Sequence, residues 1–364
     1  MNEKAKYRSP IAIPPGESLD EILTDRGMTQ ADLAKRTNLT PKHINEVVAG
    51  KAAISPDMAL RLETVLGIPA SFWNNLEAKY QEVQARLNDA AAIKAETVLM
   101  AEYNYREMSK YGWVPPARQD VEKVIELRKF FGVASLHLVP ELQPAVFRKA
   151  SFRAASSYAL AAWLRQGERE AAQIETKPFD RVKLKQKIPD FRRICMEGHH
   201  PQQSPLTEWL AECGVAAVYV PRLAKTYVTG ATRWLTPDKV MVEMSFRGKW
   251  ADIFWFSFFH ELGHVLLLHS KKETFIGLEE KYRGDPSEEE LQADRFSRSE
   301  LIPERPFREF RKKANFSIDS IRQFAAQIGI HPGVVIGRLE HEGDQAHGQM
   351  NSLRHQYDLS AEPC

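Results

Sequence analysis

The chain has 364 residues, 43% of them apolar, and a formal net charge of +2. It is long enough to bury more than one core, and its charge is too balanced for a global attraction to nucleic acid or anionic lipid. Three cysteines, Cys195, Cys213 and Cys364, exclude a disulfide framework or a CxxC metal site and fit a reducing cytoplasm. The opening residues have no apolar signal core, and the longest apolar run, 253–268, is too short to span a bilayer, so no membrane partner is expected.

Short helices with start and stop signals crowd residues 18–85. Ser18-Leu-Asp-Glu21 reads as a capping box and Gly27 as the end of that helix. Thr29 opens the next helix, Thr40-Pro41 the third, which Gly50 closes, and Ser55-Pro56 the fourth. The expectation is an all-helical module of about five short helices. Asn38-Leu39 is a turn of the length found in helix-turn-helix DNA readers. Leu33, Ala34, Leu39, Ile44 and Val47 have the spacing that packs the second and third helices together, leaving Lys42, His43, Asn45 and Glu46 outward.

The strings Pro15-Gly-Glu-Ser-Leu19, Gly27-Met-Thr-Gln30, Lys42-His-Ile-Asn-Glu46 and Gly67-Ile-Pro-Ala-Ser-Phe-Trp73 resemble the repressor-like helix-turn-helix family, and within it antitoxins of the HigA type. The resemblance covers about residues 10–80. It implies that Thr40 through Asn45 enter the major groove of operator DNA, with Lys42, His43 and Asn45 at base edges and Gln30 and Lys51 on phosphates. It also implies a homodimer, since one short helix reads too few bases alone. Residues 1–75 hold nine Lys/Arg and nine Asp/Glu. Non-specific affinity should then be weak, and a helical protein-docking module is the alternative reading.

Residues 76–200 show helical patterns with polar faces, at Leu76–Met108, Asp120–Phe131 and Ser151–Gln166, and no motif that carries chemistry. From 214 the period changes. Val215–Val220, Ala231–Leu235 and Lys239–Phe246 are short β-prone runs separated by turn signals, with Ala231–Leu235 taken as the edge strand that an extended substrate would pair.

His260-Glu-Leu-Gly-His264 follows. On a helix the two histidines lie one turn apart on one face, so both imidazoles reach one ion, and Glu261 is placed as general base toward water at that ion. An unpaired Glu and two His among such apolar flanks would be costly to desolvate; Zn2+ removes that cost. A third protein ligand is needed. The positions where a metzincin carries its glycine and third histidine hold Leu267 and Ser270, which excludes that class, and His269 is expected to cap the helix or face solvent. Glu290 and Asp294 fall on one helical face, the first as ligand and the second orienting an imidazole. Ser287-Glu-Glu-Glu290 is also a capping box, so Glu288 and Glu289 stay open as ligands. Tyr282, Tyr227 and Arg233 are the candidates for stabilising an oxyanion.

Residues from about 205 to 340 look like the ImmA/IrrE family of zinc metallopeptidases. The carrying residues are Asp252-Ile-Phe-Trp-Phe256, His260-Glu-Leu-Gly-His264, Glu290-Leu-Gln-Ala-Asp294-Arg-Phe296, Leu301-Ile-Pro303 and Ile328-Gly-Ile-His-Pro-Gly-Val-Val-Ile-Gly-Arg-Leu339. The family usually has a glutamate immediately before the position of Ala293, where this chain has Gln292. The resemblance implies cleavage of repressor-type DNA-binding proteins. Residues 316–342 repeat a helix, Gly-turn, helix rhythm. Their dense apolar positions favour packing on the peptidase core over a second DNA reader.

The expected fold is α+β: an all-α helix-turn-helix domain (1–80), a helical connector that opens the second domain (81–200), a zincin-like domain with a small sheet and an HExxH helix (201–342), and a flexible tail (343–364). The expected function is a cytoplasmic, operator-binding, antitoxin-like regulator whose zinc endopeptidase domain cleaves repressor-type proteins or the chain itself. The same residues admit a non-catalytic autorepressor whose metal domain senses a signal or holds a toxin. They also admit a protease whose helical module only docks protein substrates.

Overall fold

The computed structural model describes residues 11–143, 156–245, 250–278 and 285–357, and the chain divides into two compact units, 1–97 and 98–364. In the first unit, α1 (Pro15–Asp25), α2 (Gln30–Thr37), α3 (Pro41–Val48), α4 (Pro56–Leu66) and α5 (Ala70–Glu96) follow one another. Thr29, Thr40 and Ser55 cap α2, α3 and α4 by accepting the backbone N–H of Asp32, His43 and Met58.

Two boundaries differ from the sequence reading. α1 starts at Pro15, with Pro14 as a cap lacking a side-chain bond, so Ser18-Glu21 lies inside the helix. Gly16 explains the earlier start: a Cβ there would stand 2.0 Å from the Val47 carbonyl oxygen, so α1 enters the fold pressed against the end of α3. α5 is not short. Its 27 residues contain neither Gly nor Pro to stop it.

Leu19, Leu33, Ile44, Met58, Leu62 and Trp73 are buried at the centre of this unit, and Leu39 packs against them. The turn between α2 and α3 puts Asn38 in the left-handed region, at φ 54°. From α4, Arg61 donates to the carbonyls of Thr37 and Asn38 at 3.0 and 3.3 Å and so fixes the angle at which α3 leaves the turn.

The second unit holds a four-stranded sheet of β1 (Val215–Tyr219), β2 (Val228–Thr236), β3 (Lys239–Met244) and β4 (Thr274–Leu278), in the order β1-β3-β2-β4. β1 and β3 are parallel; β2 is antiparallel to both β3 and β4. The edge assignment made from sequence is therefore overturned. β2, which contains Ala231–Leu235, is interior, and β4, which was not foreseen, is an edge among the described strands. β4 is only five residues long and lies beyond the helix that carries His260 and His264, so its pairing with β2 is non-local and leaves no hairpin signal.

One face of the sheet is covered by α6 (Ser157–Gln173) and the other by α9 (Ala251–Leu266). α7 (Ile188–Glu197), α8 (Leu206–Ala211), α10 (Glu288–Leu301), α11 (Glu304–Lys312), α12 (Ile318–Ile328) and α13 (Pro332–His341) also belong to the unit. Asp120–Phe131 is a helix, as its pattern indicates, and Ser157–Gln173 takes the place of the expected Ser151–Gln166, whose first residues lie outside the described ones. Ile321, Phe324, Ile330, Val335 and Leu339 are buried in one core with Phe258, Leu262 and Val265 of α9, so 316–342 packs on this unit.

The segment after Gly343, expected to be loose, is anchored over 353–357. Leu353 and Tyr357 are buried, the Ala251 N–H donates to the His355 carbonyl at 2.9 Å, and Trp255 Nε1 donates to the Tyr357 hydroxyl at 2.6 Å. A few anchors in a polar stretch suffice, and composition conceals them. Among the described residues no helix is long and apolar enough to cross a membrane.

Glu243 of β3 is fully buried and faces Gly167 of α6, where a Cβ would stand 2.1 Å from its Oε2. Neither carboxyl oxygen has a hydrogen-bond partner among the described residues. Burial, reinforced by Glu170, Glu168 and Glu261, pushes this carboxyl well above the usual range. Below the ordinary carboxylate pKa both folded and unfolded chains hold the proton. Above it the unfolded chain releases its proton first, so the stability of this unit falls as pH rises. Glu243→Met is expected to flatten that dependence and to stabilise the unit at pH 8 by about 1–3 kcal/mol. Urea unfolding at pH 5 and pH 8 checks this; parallel pH slopes in variant and wild type would contradict it.

Candidate metal centre

α9 is apolar almost all round because it is enclosed between the sheet and α10. Its close approach to α10 depends on Gly263: a Cβ at that position would stand 3.0 Å from the Cα of Ala293. This contact brings Glu290 and Asp294, on the inward face of α10, to the histidines.

His260, His264 and Glu290 are all buried, and their ligand atoms lie within 4.8 Å of one another. The Nε2 of His260 is 3.2 Å from that of His264 and 3.3 Å from Oε2 of Glu290. An ion held tetrahedrally by bonds of ~2.0–2.1 Å separates its ligands by about 3.3 Å, which these two separations match. Asp294 receives the other ring nitrogen, His260 Nδ1, at 2.7 Å. Burial disfavours the His260 imidazolium, but Asp294 and Glu290 outweigh it and lift the pKa to about 9.

Of the capping box expected at Ser287–Glu290, only the Ser287 half forms. The Glu290 backbone N–H donates to the Ser287 cap at 3.4 Å, while its side chain turns into the cluster. Glu288 is exposed and paired with Arg295, and Glu289 is exposed, so neither joins the set.

Glu261 is 1% exposed and lies between α9 and the sheet. Thr232 on β2 donates from Oγ1 to its Oε2 at 2.7 Å. Gly230 of β2 and Gly277 of β4 make the room, since a Cβ at either would come within 2.9 Å of the carboxyl group. Thr232, Gly230 and Gly277 are positioning residues without a sequence motif; the sheet register alone reveals them.

His269 closes the end of α9 through its backbone, but its side chain is buried and does not face solvent. Leu268 adopts φ 57°, and the His269 N–H bonds back to the His264 carbonyl at 3.1 Å, which folds the imidazole under the helix end. His269 Nδ1 then meets His264 Nδ1 at 2.9 Å, and its Nε2 reaches Gln292 Oε1 at 3.2 Å. Because an amide oxygen only accepts, Gln292 sets the tautomers: His269 carries its proton on Nε2 and accepts from the protonated Nδ1 of His264. The Nε2 lone pair of His264 therefore points to the cluster. Gln292 is not a member of the ligand cluster.

Of the oxyanion candidates, Arg233 pairs with Glu168 of α6, on the opposite face of the sheet from Glu261. Tyr227 is absent from the lining of the cleft beside His260, and Tyr282 lies outside the described residues. In the first unit, Thr40, Lys42, Asn45 and Lys51 are exposed, and Gln30 and His43 are partly so. Asn45 Nδ2 donates to Gln30 Oε1 at 3.4 Å, joining α3 to α2, and Lys42 lies 3.8 Å from Glu46.

Comparison with known proteins gives two family matches: helix-turn-helix over residues 19–73, and IrrE N-terminal-like domain, a peptidase family, over 253–340. The chain joins a helix-turn-helix domain to an IrrE N-terminal-like domain. Virulence-associated protein I of Dichelobacter nodosus is 40% identical over 70 residues, which is 19% of this chain and 65% of that protein's length. An uncharacterised HTH-type transcriptional regulator of Escherichia coli, YddM, is 28% identical over 20% of this chain and 76% of its own. Antitoxin HigA of Pseudomonas aeruginosa, solved with the higBA promoter, is 33% identical over 24% of this chain and 95% of its own, with a TM-score of 0.22. The IrrE-like match starts at Ile253 and so leaves β1, β2 and β3 outside it.

Proposed function

We propose that this chain is a cytoplasmic operator-binding regulator whose IrrE-like domain is a zinc-dependent endopeptidase, acting on repressor-type proteins or on its own helix-turn-helix unit. The convergence of His260, His264 and Glu290 on one point, with Glu261 beside them, carries this reading. When bound, zinc supplies a Lewis acid that polarises a peptide carbonyl and acidifies water. Glu261 takes the proton of the attacking water and returns it to the leaving amine. Thr232 holds the carboxylate in place, while Asp294 and the His269–Gln292 pair hold the imidazoles.

The test is cleavage. Zinc-loaded and chelator-stripped chain are incubated with helix-turn-helix proteins encoded beside it, and intact masses are followed. Fragments that need zinc support the endopeptidase. Their absence from the zinc-loaded reaction would leave a metal domain that senses a signal or holds a toxin in an antitoxin-like autorepressor.

In the first unit, α3 enters the major groove of a palindromic operator as part of a homodimer, with Lys42, His43 and Asn45 at base edges, Thr40 at the helix start, and Gln30 and Lys51 on phosphates. Asn45→Ala is expected to relax base preference at one position by about 1–3 kcal/mol. Lys51→Ala should weaken all duplexes alike and reduce the salt slope by about one. Gel-shift titrations on selected and random duplexes decide; equal affinity for every sequence in the wild type would leave a docking module.

A further inference from the structure

The cleft beside His260 has a volume of about 710 Å³ and is lined by Glu290, Asp294 and Arg298 of α10. These stand at i, i+4 and i+8, so they share one helical face. At 1.5 Å per residue, Arg298 lies ~12 Å from Glu290 along the helix axis. An extended peptide covers that distance in about four residues.

The charges of this cleft pair off, with one exception. Asp252 and Glu340 hold Arg354 at 2.7 and 3.5 Å. Asp294 holds His260 at 2.7 Å, and Glu342 holds Arg338 at 2.8 Å. Arg298 has no carboxylate within ion-pair distance among the described residues. Its Nη2 meets His341 Nε2 at 3.3 Å, and its Nε is buried without an acceptor there. A partly buried guanidinium with no carboxylate partner is a receptor for a planar anion, since its remaining N–H donors can meet a carboxylate with two hydrogen bonds. The carboxylates at the metal end of the cleft are already engaged, which leaves the anion to come from outside the chain.

We propose that Arg298 forms a carboxylate-binding subsite at the far end of the cleft, about four residues along a bound peptide from the bond held at the metal centre. The distance along the peptide rests on the endopeptidase reading above; the preference for a carboxylate at Arg298 does not. The carboxylate is either an acidic side chain or the C-terminus of the peptide. The first makes Arg298 a determinant of sequence preference, the second a reader of chain ends.

The experiment uses the full-length, zinc-loaded chain carrying Glu261→Gln, so that bound peptide is not cut. Its probe is a fluorescent library of eight-residue peptides in which each position in turn is Asp, Asn or Lys, made with free and with amidated C-termini. Asp at one position is expected to bind about tenfold more tightly than Asn, a preference that Arg298→Gln removes and Arg298→Lys keeps only in part. Preference for the free-acid peptides at every sequence would assign the subsite to the chain end. A carboxylate preference that survives Arg298→Gln, or a library bound without any such preference or not at all, would overturn the proposal. Zinc content and Glu261-dependent cleavage are scored separately. Loss of either with an intact Arg298-dependent preference would sink the endopeptidase reading and leave the anion site standing.

Discussion

Glu261→Gln is expected to keep zinc, fold and DNA binding while lowering peptide cleavage by at least about 10²–10⁴-fold, the usual worth of a general base. Glutamine has the same size and still accepts the Thr232 hydroxyl through its amide oxygen, so the contact with β2 survives while the base is gone. Thr232→Val is the graded companion. It leaves Glu261 in place but removes the hydrogen bond that orients it, and a loss of roughly tenfold without change in zinc content is expected. Intact-mass cleavage assays on wild type and both variants, normalised to bound zinc, make the comparison. Cleavage that persists in Glu261→Gln would contradict the role given to this carboxylate.

The second large effect is on the metal itself. Purified protein should carry about one zinc per chain, and His260→Ala, His264→Ala or Glu290→Ala should each weaken binding by about three orders of magnitude. That figure is one of three protein ligands' share of a binding free energy on the order of 10–16 kcal/mol. Glu290→Ala separates ligand from cap, because the Glu290 backbone N–H that Ser287 accepts is retained in the variant. Ser287→Ala should do the opposite, costing about 1 kcal/mol of stability with zinc unchanged. His269→Ala should weaken zinc by about 10–100-fold, as loss of an outer partner of a ligating histidine does. Competition with a chromogenic chelator ranks the series. Zinc affinity unaltered in Glu290→Ala but lost in Glu288→Ala would mean that the wrong carboxylate has been assigned.

The helix caps and the metal motif are encoded locally in this chain. The caps at Thr29, Thr40 and Ser55 and the paired histidines one turn apart are each written within a few residues, so their geometry follows from one helix period. Glu290 was legible for a related reason: its four-residue spacing to Asp294 puts both on one face of α10. The start of α1 was misjudged because the deciding contact, Gly16 on the Val47 carbonyl, is 31 residues away in sequence.

By itself, then, the sequence determined the two helical motifs, the α+β class and the identity of the residues that could ligate or act as base, since side-chain chemistry and helical period need no knowledge of the rest of the chain. Only the tertiary structure decided what surrounds them. The interior position of β2, the edge position of β4, and the pair of glycines and the threonine that seat Glu261 all follow from non-local strand pairing. A left-handed Leu268 lets His269 close the helix end through its backbone while its imidazole meets His264, a conformation that no residue preference favours and that the packed surroundings impose.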